Sequence, residues 1–284
     1  MLRIITDSGA DFEPYEMEQM GILCVPLTVT FGKDTYRENE NLSKKEFFHL
    51  LNKNSTPPST SQPTPYSFEK VFSSIDKEDE IVGIFLSSSL SGTFYGAKFA
   101  MRMYHPNNCY LVDSLNATGG IRLLVEYAVK LRDNGKTAKE IYNELEKLKG
   151  RIKLFACLDT MKYLSTGGRL AGKLLQSSAM SHVKPVIHIN KDGKPALLGK
   201  AIGIKRGIMQ TVKNLESHKP DKHYPIYLMY SHNSENAMIL KDMLKEKGYK
   251  IQDKHIVNIG AAIGTHIGTN ACGVVYVEKK ILQA

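Results

Sequence analysis

The chain has 284 residues, of which 42% are hydrophobic and 24% charged, and it carries a formal net charge of +9. That length suits two domains of ordinary size with a sizeable core, which sets aside a disordered or fibrous chain. The lysines are spread over helix faces and no basic run is interleaved with aromatics, so the charge reads as solvated surface and no nucleic-acid partner is expected.

In chain order, strands alternate with helices. Leu2 to Thr6 reads as a short buried strand, and the β-branched, alternating stretch from Cys24 to Phe31 as a second. Ser43 caps a helix to Asn52, and a turn-rich loop from Ser55 to Pro65 ends at Thr64-Pro65, a cap followed by proline at the first helical position. Glu80 to Leu86 is a strand, Ser87 to Gly92 a polar loop, and a helix follows to about Tyr104. Cys109 to Val112 is a strand and Ala117 to Arg132 an amphipathic helix. Thr137 and Glu140 form a capping box for a helix whose Ile141, Leu145 and Leu148 share one face. Alternation of this kind predicts βαβ units and a mainly parallel sheet flanked by helices.

After the strand Ile152 to Leu158 the pattern changes. Val186 to Ile189, the turn Asp192-Gly193 and Ala196 to Gly199 predict a β-hairpin. Helices are expected over Lys205 to His218 and Ser234 to Lys247, the second closed by Gly248. Strands are expected at Tyr224 to Tyr230, His255 to Ile259 and Val274 to Val277. The expected fold is α/β in two domains, residues 1–158 and a smaller α/β domain over residues 159–284.

Three strands run into polar loops that open into helices: Asp7-Ser8-Gly9, Ser87 to Thr93, and Asp113-Ser114. In a parallel α/β sheet, ligands bind beyond the carboxyl ends of the strands, where the strand order switches. The loop Ser87 to Thr93 sets four serines, a threonine and a glycine at a helix start. Such a loop serves either as a cap or as an anion site. Thr60-Ser61-Gln62-Pro63 is a second hydroxyl cluster. In Gly264-Thr265-His266-Ile267-Gly268 the glycines would let backbone approach a ligand, with His266 as donor. Gly167-Gly168-Arg169 would present a guanidinium fork to an anion. The alternative for both glycine motifs is local: a histidine bonded within its turn and an arginine on the surface.

Other chemistries lack their motifs. The nine histidines and the widely spaced Cys24, Cys109, Cys157 and Cys272 show no CxxC, no HExxH and no metal spacing, so reduced thiols, no metal and no cofactor are expected. There is no GxxxxGK[ST], GxGxxG or GxSxG. No basic leader with an apolar run stands at the start, and no window approaches the ~18 to 20 apolar residues that cross a bilayer. A cytoplasmic protein without stable membrane insertion is the expectation.

Taken together, Asp7-Ser8, Thr60-Ser61-Gln62-Pro63, Leu90-Ser91-Gly92-Thr93, Val112-Asp113-Ser114, Tyr163-Leu164 with Gly167-Gly168-Arg169-Leu170, and Gly264-Thr265-His266 resemble the DegV family over nearly the whole chain. The resemblance implies a two-domain protein that buries a long-chain fatty acid between its domains without catalysing a reaction alone. Some members are the fatty-acid-binding subunit of bacterial fatty acid kinase, whose separate catalytic subunit phosphorylates the bound carboxylate for phospholipid synthesis. By this resemblance Thr60, Ser61, Ser91, Gly92 and Thr93 surround the carboxylate, and Arg169, His266 and Lys200 face the kinase and the phosphoryl group. Two departures bear on the kinase. Ile202 and Ile204 stand in a segment where family members often carry arginine, leaving Lys200, Lys205 and Arg206; and Gly268-Thr269-Asn270 replaces a common Gly-Pro-Gly. The competing expectation is a stand-alone transferase or hydrolase on a small anionic substrate, with Ser91 and His266 in its active site.

Overall fold

The computed structural model describes residues 1–105, 107–169 and 182–280. Strands β1 (Leu2–Asp7), β2 (Ile22–Val25), β6 (Glu80–Phe85) and β7 (Cys109–Asp113) form a four-stranded sheet in the order β2-β1-β6-β7. Every neighbouring pair in it is parallel. Successive side chains point to opposite faces. Ile4, Val82 and Ile84 therefore pack on α5 (Gly119–Asp133) and α6 (Ala138–Lys149). Ile5, Ile81 and Phe85 pack on the other face against α3 (Pro65–Phe72) and α4 (Thr93–Tyr104). Burial on both faces is what makes these strands continuous apolar runs.

The stretch Cys24 to Phe31, expected as one strand, is two. Pro26 cannot donate to a ladder, and the chain leaves the parallel sheet there. It continues as β3 (Thr28–Phe31), the centre of a small antiparallel sheet with β4 (Asp34–Arg37) and β5 (Ser59–Ser61). That sheet sets Thr60 opposite Val29 and Ser61 opposite Thr28. The predicted caps form as expected. Ser43 accepts from Glu46 N–H, Thr64 from Ser67 N–H, and Thr137 and Glu140 close their capping box.

The second sheet has six strands in the order β10-β9-β8-β13-β11-β12: β10 (Pro195–Ile202), β9 (Val183–Ile189), β8 (Ile152–Cys157), β13 (Cys272–Val277), β11 (Tyr227–Tyr230) and β12 (Ile256–Asn258). All its pairings are antiparallel except β11 with β12. The hairpin β9–β10 turns at Asp192-Gly193, where Gly193 takes the positive φ of 73° that suits glycine. One face is covered by α8 (Ile204–Ser217) and α9 (Glu235–Glu246) through Ile208, Val212, Leu215, Leu240 and Leu244. The other face, carrying Leu154, Ile187, Met229 and Val275, joins the core of the parallel sheet through α5. Gly119 lets α5 come this close, since a Cβ there would stand 2.7 Å from Met229 Sδ.

Candidate functional site

Between the carboxyl edge of the parallel sheet and the inner face of the six-stranded sheet lies a cavity. The space between its lining atoms is ≈ 950 Å³, open mouth included. Leu27, Leu86 and Ala117 line it from the strand ends of the parallel sheet, Leu154, Ile187, Met229 and Val275 from the opposing sheet. Its position is the one expected of α/β sheets, since the order β2-β1-β6-β7 switches direction between β1 and β6. Most of the lining is hydrocarbon. Its polar side chains are Thr60, Ser61, Ser91, Thr118, Arg169, His266 and the Cys272 thiol. Thr60, Ser91, Arg169 and His266 are half-buried and Ser61 is exposed, whereas Leu86, Met229 and Val275 are buried. Thr60, Ser61, Ser91, Arg169 and His266 thus stand at the outer end of a mostly apolar cavity, while Thr118 and Cys272 are buried in its lining.

Two residues grouped with these in the sequence stand back from the cavity. Thr93 is buried behind Ser91, their hydroxyls 2.7 Å apart. Gly92 is fitted against Gln62, whose Oε1 would lie 1.8 Å from a Cβ at that position. Both place Ser91 instead of lining the space. Two more hydroxyls of the loop hold the second sheet: Ser87 Oγ donates to Gly193 O at 2.9 Å and Ser89 Oγ to Asp192 O at 2.7 Å. The surplus of hydroxyls beyond one cap is therefore divided between the tunnel mouth and the hairpin turn. Lys200 is exposed on β10 and is not among the lining residues. Leu170 lies outside the described residues.

His266 sits in the last turn of α10 (Ala261–Ile267). Its Nε2 is 2.8 Å from Thr60 Oγ1, while the buried Nδ1 has no hydrogen-bond partner among the described residues. Burial, helped by the nearby Arg169 guanidinium, pushes its pKa down to about 4, so the ring is neutral at neutral pH. Gly167 is required beside it, because a Cβ there would fall 2.1 Å from Nδ1. Gly168 takes a positive φ of 65° and turns the chain so that Arg169 reaches back. Arg169 donates from Nη1 to Gly167 O at 2.6 Å and from Nε to Leu90 O at 3.3 Å. Among the described residues it is the one lining group with a permanent charge. The glycines around His266 admit neighbouring rings of the protein itself. Gly264 is packed on Phe47 and Gly268 on the Tyr163 ring. No hydrogen bond joins Ser91 to His266: each is bonded to a threonine instead.

Of the acid cluster beside the cavity, sequence reasoning singled out Asp7 and missed Asp11 and Glu38. Asp7, Asp11 and Glu38 are all buried. Asp7 bridges the switch point by accepting from Leu86 N–H at 2.7 Å and Gly9 N–H at 2.9 Å. Glu38 accepts from Ser8 Oγ at 2.7 Å and from the backbone N–H groups of Ala261 and Ala262. Asp11 accepts from Gly260 N–H at 2.8 Å and from the Thr118 hydroxyl. Together Glu38 and Asp11 satisfy the open N–H groups at the start of α10. Burial raises all three carboxyls, Asp7 and Glu38 to about 7 and Asp11 to about 6, with the Lys44 ammonium pulling Asp11 and Glu38 the other way. The signal available in the sequence was position: Asp7 and Asp11 flank the end of a buried strand, and Glu38 follows an edge strand.

A family model of uncharacterised DegV proteins matches residues 1–279. The chain belongs to the DegV family. Protein DegV of Bacillus subtilis is 30% identical over 283 residues, covering 98% of this chain and 99% of its own. A DegV domain-containing protein of Clostridium acetobutylicum is 29% identical over 279 residues, with 98% and 99% covered. Among solved structures, a DegV family protein of Thermus thermophilus described as fatty-acid binding superposes with a TM-score of 0.87 at 25% identity, over 98% of this chain and 99% of that one. The structure of Bacillus subtilis DegV, a fatty acid binding protein, superposes with a TM-score of 0.81 at 28% identity, again over 98% and 99%. The two-domain α/β fold is that of the DegV family, and structural neighbours within it bind fatty acids.

Proposed function

We propose that this protein binds one long-chain fatty acid, with the acyl chain in the tunnel and the carboxylate at Thr60, Ser61, Ser91 and Arg169. The observation that carries the reading is the division of the cavity: a hydrocarbon tunnel ending in hydroxyls and one guanidinium. An acyl chain gains ~0.8 kcal/mol for each methylene taken from water. A carboxylate at the outer end keeps hydrogen-bond donors and one compensating charge, without which its burial would be prohibitive. The fatty-acid-binding relatives of the same fold support this assignment.

The ligand so held would present its carboxylate outward to a separate kinase, forming an acyl phosphate, with Arg169 and neutral His266 beside the transferred group and Lys200 toward the partner. Arg169 would offset charge developing on the phosphoryl oxygens, and His266 would hold the Thr60 hydroxyl in place through Nε2. No catalysis by the isolated chain and no resident cofactor are part of this proposal. The arrangement of Ser91 and His266, each committed to a threonine, gives the hydrolase reading no support.

Denaturing extraction of the purified protein followed by mass spectrometry should release one fatty acid per chain. Recovery of only a nucleotide or a sugar phosphate would overturn the reading. Acyl phosphate should appear only when a partner kinase and ATP–Mg²⁺ are added, and turnover by the isolated chain would restore the enzyme reading.

A further inference from the structure

Part of the net charge of +9 gathers in one groove at the edge of the six-stranded sheet. It is walled by the loops that lead into β11 and β12 and by the chain just beyond β13. The space between its lining atoms is ≈ 2010 Å³, open mouth included, which exceeds that of the tunnel. Lys219, Lys222, Lys247, Lys250, Lys254 and Lys279 line it, all of them exposed. Asp221 is the one acid among the described lining residues, and its charge is already engaged: Arg151 holds it at 2.5 Å and the His223 ring lies 2.8 Å away. Lys247 pairs with Glu216 at 3.3 Å, and the other five lysines have no ion pair among the described residues. The backbone forces some of these charges together. Asp221 N–H donates to Val277 O at 2.7 Å and Lys279 N–H to Lys219 O at 2.8 Å, which sets Lys219 beside Lys279. Like charges side by side cost stability, and an anion placed between them offsets that cost.

We propose that this groove docks a carboxylate-rich segment of a partner protein. Ammonium groups dispersed along a groove match carboxylates dispersed along a chain, and the field they share draws such a segment in. A phosphate site is built differently, from an arginine fork or the amino end of a helix. No arginine is among the described lining residues, and α9 turns its carboxyl end to the groove at Lys247 and Gly248. A single-stranded nucleic acid needs free ring faces on which bases stack. Tyr224 and Tyr249 are half-buried here, and Tyr224 already meets the Tyr127 ring at 5.6 Å. The groove and the tunnel lie at opposite ends of the same strands. Met229 and Cys272 stand on the tunnel side, Ile226 and Lys279 on the groove side, and the six residues of β13 span roughly 20 Å between them. A partner held at the groove therefore leaves the tunnel mouth uncovered. The docking site stands on charge and geometry alone and does not depend on which ligand the tunnel holds.

The test titrates the full chain into a fluorescein-labelled oligoglutamate peptide and reads fluorescence anisotropy. Binding is expected at low salt and should weaken as salt is raised. Lys219→Glu, Lys222→Glu, Lys250→Glu and Lys254→Glu combined should weaken it roughly tenfold or more. Lys45→Glu, Lys77→Glu, Lys98→Glu and Lys139→Glu combined make the same change in net charge at exposed lysines outside the groove, and should leave affinity within about threefold of wild type. An unchanged melting transition establishes that both variants fold. Equal weakening in the two variants assigns the binding to net charge and overturns the proposal, as does a wild-type chain that ignores the peptide. Unlabelled oligoglutamate, inorganic tripolyphosphate and a single-stranded oligonucleotide then compete for the site at matched charge concentration. The oligoglutamate should displace the probe best, and stronger displacement by either phosphate competitor assigns the groove to phosphate and overturns the docking site as stated. Fatty acid content is measured separately: loaded protein that ignores the peptide sinks the groove alone, whereas protein that binds the peptide and never carries fatty acid sinks the ligand reading alone.

Discussion

The two ends of helix α10 are held in opposite ways. Its start is gripped by Glu38 and Asp11, buried carboxylates that accept from Gly260, Ala261 and Ala262. Its last turn carries His266, bonded through one nitrogen to Thr60 while the other is buried without a described partner. The first end spends charged acceptors on backbone and gains position; the second leaves polar capacity unspent beside the tunnel mouth. A buried polar atom without a partner is costly. Rigidity at one end fixes the position of the other beside the cavity.

Substitutions at the two ends should therefore separate stability from function. The largest effect is expected for Glu38→Ala, which strands two backbone donors and the Ser8 hydroxyl. It should lower unfolding free energy by about 2–4 kcal/mol, read by chemical denaturation. A loss below ~0.5 kcal/mol would mean that water or a shifted side chain replaces the carboxylate. Arg169→Ala and His266→Ala belong to the other end. With a partner kinase they should slow acyl phosphate formation roughly a hundredfold while stability stays near wild type. Loss of fatty acid binding in His266→Ala, or unchanged phosphorylation in either variant, would move that residue out of the assigned role.

Ser91→Ala should act on affinity. Removing one donor to the carboxylate should weaken fatty acid binding by about 1–2 kcal/mol, roughly a factor of ten, in a competition assay. A further effect concerns pH and isolates the gripped end. Glu38 is raised from 4.5 to about 7 in the folded chain. Between those values the folded protein holds a proton that the unfolded chain has released, so this group's contribution to stability falls as pH rises. His266 works the other way, since its lowered pKa makes stability fall as pH drops from 6.5 toward about 4. Comparison with Glu38→Gln removes that background. Wild type should lose stability relative to the Gln variant from pH 5 to pH 8, and a constant difference would show that Glu38 does not titrate in this window.

Much of the frame was legible in the sequence. Ser43, Thr64 and the Thr137–Glu140 box announced three helix starts, because capping needs only residues within one turn. The hairpin turn at Asp192-Gly193 was equally local. Helices α1 (Pro14–Met20), α7 (Lys162–Thr166) and α10 were not anticipated. Each is seven residues or fewer, too short for apolar periodicity to show. The break at Pro26 was missed because β-branched residues continue on both sides of it, and only pairing partners reveal that two sheets share the stretch.

By itself the sequence determined most of the longer elements and the parallel α/β character of the first part, which depend on neighbours in the chain, and the family, which short motifs in order along the chain carry. Which hydroxyls face the tunnel was settled only by tertiary structure. Thr60 and His266 are 206 residues apart and meet at 2.8 Å because β5 and α10 pack side by side. Ser87, Ser89, Ser91 and Thr93 look alike along the chain, yet two fasten a hairpin, one lines the cavity and one is buried behind it. The acids of the α10 grip stand 223 and 249 residues from the N–H groups they accept. A hydrogen bond is satisfied by whatever partner the fold brings within about 3 Å, and residue type specifies the capacity to bond without naming that partner.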